Sequence, residues 1–240
     1  MSEARTRLPV HERAHFGWGR TSSYDIINIM TEIIPAILTN DPEELVRLVH
    51  VFERMGVERV HLDICDGVFV PTRTIVGYEE LRRLDTKLKF DVHLMVKDPE
   101  HLIDHWHDLP ADRFIVHVEA TEMLPMLAEH CHSHSQQFWA AKNPETALSA
   151  LTGLTVPLDG AMFMTVHPGQ QGRPFVLEVL EQVKQFKAER PELLVMVDGG
   201  ITPQTAPQCA AAGANILVAG SYIVCALDQT KALEELRSSL

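Results

Sequence analysis

A histidine and an aspartate lie two residues apart in an apolar segment that runs directly into a glycine-containing loop. The segment RVHLDIC alternates apolar residues with His61 and Asp63. This alternation predicts a β-strand whose His61 and Asp63 side chains share one face. Burying an imidazole beside a carboxylate is costly unless a metal ion or another partner satisfies both. The pair therefore indicates a metal site or a structural hydrogen bond at the end of a strand.

Two later segments supply the same residue types. FDVHLMV contributes His93, and VDGG ends a predicted strand at Asp198. Two imidazoles and two carboxylates from three strand ends form the N and O ligand set of a catalytic divalent-metal site. The sequence thus predicts one metal site made by four residues: His61, Asp63, His93 and Asp198.

The elements that would position these residues form a repeat of strand and helix. Eight apolar segments predict strands near residues 33–38, 59–63, 89–95, 113–117, 137–141, 160–166, 194–198 and 216–219. Helix starts are predicted where a capping residue precedes proline, at Asp41-Pro42, Asp98-Pro99, Asn143-Pro144 and Thr202-Pro203. Eight βα units without a linker predict a single (β/α)₈ TIM barrel over residues 31–240. An open doubly wound sheet would need a G-x-G-x-x-G motif after its first strand, which this sequence lacks.

Composition limits the partners of the protein. The 240 residues carry a formal net charge of −12, which argues against nucleic acid and anionic membranes as partners. The four cysteines show no C-x-x-C spacing, as expected for reduced thiols in a cytoplasmic enzyme. Residues 1–30 are rich in arginine and histidine without apolar periodicity, and we expect a disordered extension or a misassigned start there. The formation of homo-oligomers is left open.

Two glycine-containing segments follow the last two predicted strands. They are Gly199-Gly200 and Gly220-Ser221. Loops after strands seven and eight of such barrels bind phosphate through backbone N–H groups and helix N-termini. The sequence therefore predicts a phosphorylated small molecule as the ligand.

Taken together, the motifs resemble those of ribulose-phosphate 3-epimerases. They run in order from about residue 33 to the C-terminus as HLDICDGVFVP, DVHLMV, HVEATE, MTVHPGQQGRPF, VDGGI and AGSYI. The resemblance implies one divalent ion, usually zinc and sometimes iron or manganese, and interconversion of D-ribulose 5-phosphate and D-xylulose 5-phosphate in the pentose phosphate pathway. It also implies that Asp63 and Asp198 are the acid and base as well as metal ligands.

The chemistry explains these residue types. Inverting C3 requires removal of a proton from one face and return of a proton to the other, so two carboxylates must flank the carbon. A cation stabilises the charge of the enediolate between the two steps. The resemblance also implies substrate and phosphate contacts from Met95, Met164, Gly169, Gly172, Gly199, Gly200, Gly220 and Ser221.

The sequence departs from the family pattern at a few positions that concern the substrate. Ala36 replaces a serine, Cys65 replaces a methionine, and Gln170 and Gln171 alter the usual lid sequence. Lys142 replaces an aliphatic residue, and it is a candidate substrate contact or an outward-pointing rim residue.

Alternative functions and one pair of residues stay open. An allulose-6-phosphate 3-epimerase and a non-catalytic sugar-phosphate-binding relative are the alternatives. A related decarboxylase or aldolase is disfavoured because Asp91 is followed two residues later by His93 rather than lysine. The pair His117 and Glu119 could contact the pocket or form a structural hydrogen bond.

Overall fold

The computed structural model describes residues 31–106, 109–169 and 172–240. Its eight strands are parallel and pair in chain order, and the first pairs with the last, so the sheet closes into a barrel. The strands are β1 (Glu32–Ile37), β2 (Arg59–Cys65), β3 (Lys89–Met95), β4 (Ala111–His117), β5 (Gln137–Lys142), β6 (Gly160–Met164), β7 (Leu194–Asp198) and β8 (Ile216–Ala219). The predicted TIM barrel is confirmed. The predicted extension, residues 1–30, lies outside the described residues.

Helices connect most of the strands. They are α1 (Pro42–Arg54), α2 (Tyr78–Leu81), α3 (Leu124–Ser133), α4 (Ser149–Thr152), α5 (Val179–Glu189), α6 (Ala206–Ala211), α7 (Ser221–Val224) and α8 (Gln229–Ser238). The predicted start of α1 is confirmed, because Pro42 opens it and the Asp41 side chain accepts a hydrogen bond from the N–H of Glu43. None of the helices in the described ranges is long and apolar enough to cross a membrane.

The other three cap–proline pairs do not begin α-helices. After β3 the chain forms two 3₁₀ segments, Pro99–His101 and Ile103–Trp106, instead of the expected helix. Asp98 has a φ of 52°, in the left-handed region, and its side chain makes no capping hydrogen bond. The remaining two pairs open turns, and α4 and α6 begin several residues later.

Alternation along the strands builds two apolar layers. Val60, Leu62 and Ile64 of β2 pack outward in the layer between the sheet and the helices. The opposite faces of the strands fill the barrel with Ile34, Ala36, Ile115, Trp139, Ala141, Met162, Met164, Met196, Ile216 and Val218. His61 and Asp63 have the parity of this interior face, so they share one face as the sequence predicts.

A charged cluster occupies the barrel interior near the start of the strands. The Asp91 carboxylate is fully buried and accepts hydrogen bonds from Arg59 Nη1 and Arg113 Nη1, each at 2.7 Å. The Arg113 guanidinium lies 4.6 Å from the ring centre of Trp139. Because a buried carboxylate needs such compensation, the cluster holds β2, β3 and β4 together beneath the predicted site.

Candidate active site

Strand register brings the four predicted ligands to one place in the barrel. Asp63 of β2 pairs with His93 of β3, and His61 lies two residues earlier on the same face. Asp198 ends β7, where the hydroxyl and the backbone N–H of Thr165 both donate hydrogen bonds to its carbonyl oxygen. The four side chains are buried, and their ligand atoms lie within 4.8 Å of one another.

Short distances join the carboxylates and imidazoles. The Asp63 Oδ1 atom lies 2.8 Å from His93 Nδ1 and 3.5 Å from His61 Nε2. The Asp198 Oδ2 atom lies 3.6 Å from His93 Nδ1 and 3.9 Å from His61 Nε2. Each carboxylate therefore faces both imidazoles.

The residues fit a metal ion, and His61 provides the physical reason. Within the described chain, both ring nitrogens of His61 are buried and make no hydrogen bond. An unsatisfied buried polar group costs about 1–3 kcal/mol. A cation held by His61 Nε2, His93 Nδ1 and the two carboxylates would satisfy the Nε2 atom of His61. The set of nitrogen and oxygen donors suits a divalent ion such as Zn²⁺.

The electrostatic environment shifts the pKa values of the two carboxyl groups in opposite directions. Burial opposes ionisation of Asp63, but its close contacts with His61 and His93 outweigh burial and hold its pKa below the usual range. Burial, together with the nearby charge of Asp63, raises the pKa of Asp198. Burial also lowers the pKa of His93 to about 3, so this imidazole is neutral at pH 7. A pair of carboxyl groups with pKa values pushed apart is typical of an acid and a base.

Behind His93 lies a hydrogen-bonded pair that the sequence analysis left open. His117, at the end of β4, is fully buried, and its Nε2 lies 2.8 Å from His93 Nε2. The His117 Nδ1 atom lies 3.3 Å from Glu119 Oε2. Burial alone would raise the pKa of Glu119, but hydrogen bonds from His117, the Thr146 hydroxyl and the Asn143 N–H lower it to about 2. The signal in the sequence is the H-x-E spacing at a strand end beside β3.

One pocket at the carboxyl ends of the strands collects the predicted substrate and phosphate residues. Asp63 and Asp198 form part of its lining. The same pocket is lined by all eight residues predicted to contact substrate or phosphate: Met95, Met164, Gly169, Gly172, Gly199, Gly200, Gly220 and Ser221. It is also lined by residues that the sequence analysis did not predict as contacts, among them Leu38, Val166 and Ile201.

The two glycines after β7 are required by their surroundings. Gly199 has a φ of 109°, and a Cβ atom there would lie 2.4 Å from Val166 Cγ2. Gly200 has a φ of 64°, and a Cβ atom there would lie 3.1 Å from Phe175 Cδ2. Side chains are disfavoured at such φ values, so the loop keeps its backbone open to the pocket.

The departures from the family pattern fall in different places. Ala36 lines the pocket. Cys65 is buried and packs against Val70 and Met95. Gln170 and Gln171 lie outside the described residues.

Lys142 is not brought to this pocket in the described chain. It shares the outward parity of Phe138 and Ala140 on β5, and its side chain is fully buried. Its Nζ donates a hydrogen bond to the carbonyl of Asn143 at 2.8 Å and lies 5.6 Å from the ring centre of Phe163. A role in substrate binding stays a prediction.

The fold and the site define the class of protein. A closed (β/α)₈ barrel whose polar cluster lies at the carboxyl ends of its strands has the active-site location shared by enzymes of this fold.

Comparison with known proteins then gives the family. The profile of the ribulose-phosphate 3 epimerase family matches residues 32–224. Ribulose-phosphate 3-epimerase of Bacillus subtilis (strain 168) is 35% identical over 217 residues, which cover 88% of this chain and 100% of that protein. The enzyme of that name from Schizosaccharomyces pombe is 33% identical over 216 residues, 88% of this chain and 95% of that protein. The chain belongs to the ribulose-phosphate 3 epimerase family and is an epimerase-type isomerase, which confirms the predicted resemblance.

More distant structures share the barrel. A crystal structure of 3-hexulose-6-phosphate synthase superposes with a TM-score of 0.64 at 16% identity, covering 88% of this chain and 100% of that one. At this identity the similarity concerns the fold alone.

Proposed function

We propose that the protein catalyses metal-dependent epimerisation at C3 of a ketose phosphate, interconverting D-ribulose 5-phosphate and D-xylulose 5-phosphate. The observation that carries the proposal is the juxtaposition of a buried His₂Asp₂ cluster with a pocket lined by glycine-rich loops. The relatives from Bacillus subtilis and Schizosaccharomyces pombe carry the name of this activity.

In this proposal the two carboxylates exchange one proton each with the substrate. Asp63, whose pKa is held low, removes the C3 proton from one face, and the electron pair of the C–H bond enters a C2–C3 enediolate. Asp198, whose pKa is raised, donates a proton to C3 from the other face. In the reverse direction the two residues exchange roles, so the reaction consumes no co-reactant.

A divalent cation, when bound, supplies positive charge beside the developing enediolate. His61, Asp63, His93 and Asp198 would hold it. The neutral state of His93 at pH 7 suits this role, because a protonated imidazole has no lone pair to donate. Zinc suits the donor set, and iron and manganese are the other candidates.

The loops after β6, β7 and β8 would hold the rest of the substrate. Gly199, Gly200, Gly220 and Ser221 line the pocket beside Asp198, and backbone N–H groups of such loops bind phosphate. The apolar residues Met95 and Met164 border the same space and would exclude water from the enediolate.

The test is turnover by purified protein with D-ribulose 5-phosphate and with D-allulose 6-phosphate in parallel coupled assays. We expect turnover of the pentulose phosphate, loss of activity after chelation, and recovery on addition of Zn²⁺, Fe²⁺ or Mn²⁺. Preference for the hexulose phosphate would move the function to the alternative epimerase. Metal-loaded protein that binds sugar phosphate without turning it over would establish the non-catalytic alternative. The cytoplasmic location stays a prediction, and homo-oligomer formation stays open.

A further inference from the structure

A chain of three polar side chains leads from the candidate metal centre to the loop after β5. His93 Nε2 and His117 Nε2 lie 2.8 Å apart, and the two rings are nearly parallel, at 21°. His117 Nδ1 then faces Glu119 Oε2 at 3.3 Å. His93 and His117 are fully buried, so water does not replace these partners.

The contacts of Glu119 determine which atoms donate and which accept in this hydrogen-bonded series. Glu119 Oε1 accepts hydrogen bonds from the N–H of Asn143 and from the hydroxyl of Thr146. These contacts, with that from His117, lower the pKa of Glu119 to about 2, so the carboxylate is ionised and can only accept. The proton between His117 and Glu119 therefore lies on His117 Nδ1.

The position of one proton then determines the next. A neutral imidazole that carries its proton on Nδ1 can only accept at Nε2. In the neutral form of His117, Nε2 is thus the acceptor, and His93 Nε2 must be the donor. His93 in turn keeps a free lone pair on Nδ1, the atom that lies 2.8 Å from Asp63 Oδ1 and 3.6 Å from Asp198 Oδ2.

We propose that Glu119 and His117 are positioning residues that hold His93 in the tautomer whose Nδ1 lone pair faces the metal position. The inference rests on the proposed metal-dependent function. Metal-ligating histidines need such a partner on the second ring nitrogen, and losing it lowers metal affinity about 10- to 100-fold. Here an imidazole stands between the ligand and the carboxylate.

Glu119→Gln tests the direction of these hydrogen bonds, because glutamine has nearly the same size and shape as glutamate. The Asn143 N–H can only donate, so the glutamine must turn its carbonyl oxygen toward Asn143 and its NH₂ group toward His117. Facing a donor, His117 must move its proton to Nε2, and His93 must move its own to Nδ1. We expect the dissociation constant for Zn²⁺, measured by competition with a chelator, to rise about 10- to 100-fold.

Two controls separate this role from a purely structural one. Thr146→Val removes a donor from the same carboxylate but leaves the polarity toward His117 intact. It should lower the melting temperature and change Zn²⁺ affinity less than about threefold. In a His117→Phe background, Glu119→Gln should cause no additional loss of Zn²⁺ affinity, because the hydrogen bonds that connect Glu119 to His93 are already absent.

The tautomers can be observed directly. Long-range ¹H–¹⁵N spectra of ring-labelled protein show which nitrogen of His117 carries the proton, with Nδ1 expected in the wild type and Nε2 in Glu119→Gln. The inference is overturned if Glu119→Gln keeps wild-type Zn²⁺ affinity, or if its loss persists unchanged in the His117→Phe background. If Glu119→Gln does not fold, His117→Phe alone decides, and unchanged Zn²⁺ affinity overturns the inference. Wild-type protein that binds no divalent ion would instead overturn the proposed function.

Discussion

The buried carboxylate of Asp91 should be one of the most sensitive positions for stability. In Asp91→Asn, the guanidinium groups of Arg59 and Arg113 lose the charge that compensates both of them. Breaking a buried ion pair by removing one partner costs about 3–5 kcal/mol. For a chain of this size, each kcal/mol shifts the melting temperature by about 2–4 °C, so a decrease of roughly 6–20 °C is expected.

Asp112→Asn is the matched control for this prediction. Asp112 also binds Arg59, at 2.5 Å, but its side chain is 37% exposed. An exposed pair contributes about 0–1 kcal/mol, so this variant should shift the melting temperature by less than about 4 °C. Thermal unfolding followed by circular dichroism measures both variants. If Asp91→Asn melts within about 2 °C of the wild type, the cluster does not stabilise the barrel as the buried contacts indicate.

Three further predictions concern the site, the thiols and the acid limit of stability. Asp198→Asn should stop epimerisation but retain slow exchange of the C3 proton of the epimer whose C3–H faces Asp63. Proton NMR in D₂O measures the exchange, and unimpaired epimerisation would show that the acid and base are misassigned. Of the four cysteines only Cys225 is exposed, so native protein should show one thiol that reacts quickly with Ellman's reagent and unfolded protein four. Because the pKa of Glu119 is depressed to about 2, its stabilising contribution is present above the unfolded value and is lost as pH falls through the folded value. In urea titrations, the advantage of wild type over Glu119→Gln should therefore shrink between about pH 5 and pH 2, and a constant difference would contradict this.

Strand periodicity made the barrel and the ligand set predictable from the sequence. The predicted strands 89–95, 194–198 and 216–219 match β3, β7 and β8 in both bounds. Period-two alternation also predicts correctly that His61 and Asp63 share one face, which the structure shows to be the inside of the barrel. A one-residue error in register would move both to the outer layer.

Helix starts were less predictable, since capping residues and proline also open turns. Asp98-Pro99 has the sequence of a helix start, yet the left-handed backbone of Asp98 leads into short 3₁₀ segments. Local chemistry permits both outcomes, and packing of the fully buried Trp106 accompanies the one observed.

Side-chain partners across strands were the least predictable feature. Parity places Lys142 on the outer face with Phe138 and Ala140, which the sequence could have indicated. The contact between His93 and His117 depends on strand register and rotamers that no local pattern determines.

The order in which the chain is synthesised has a consequence for the candidate metal site. Three of the four candidate ligands lie on β2 and β3, whereas Asp198 lies at the end of β7, the seventh of eight strands. A growing chain leaves the ribosome with its first three ligands long before the fourth. The complete set can form only after β7 has been synthesised, and the closure of β1 on β8 beside it only after β8 has been synthesised. An ion held by all four residues could therefore be bound only after β7 has been synthesised, and it would join segments that are more than 100 residues apart in the sequence.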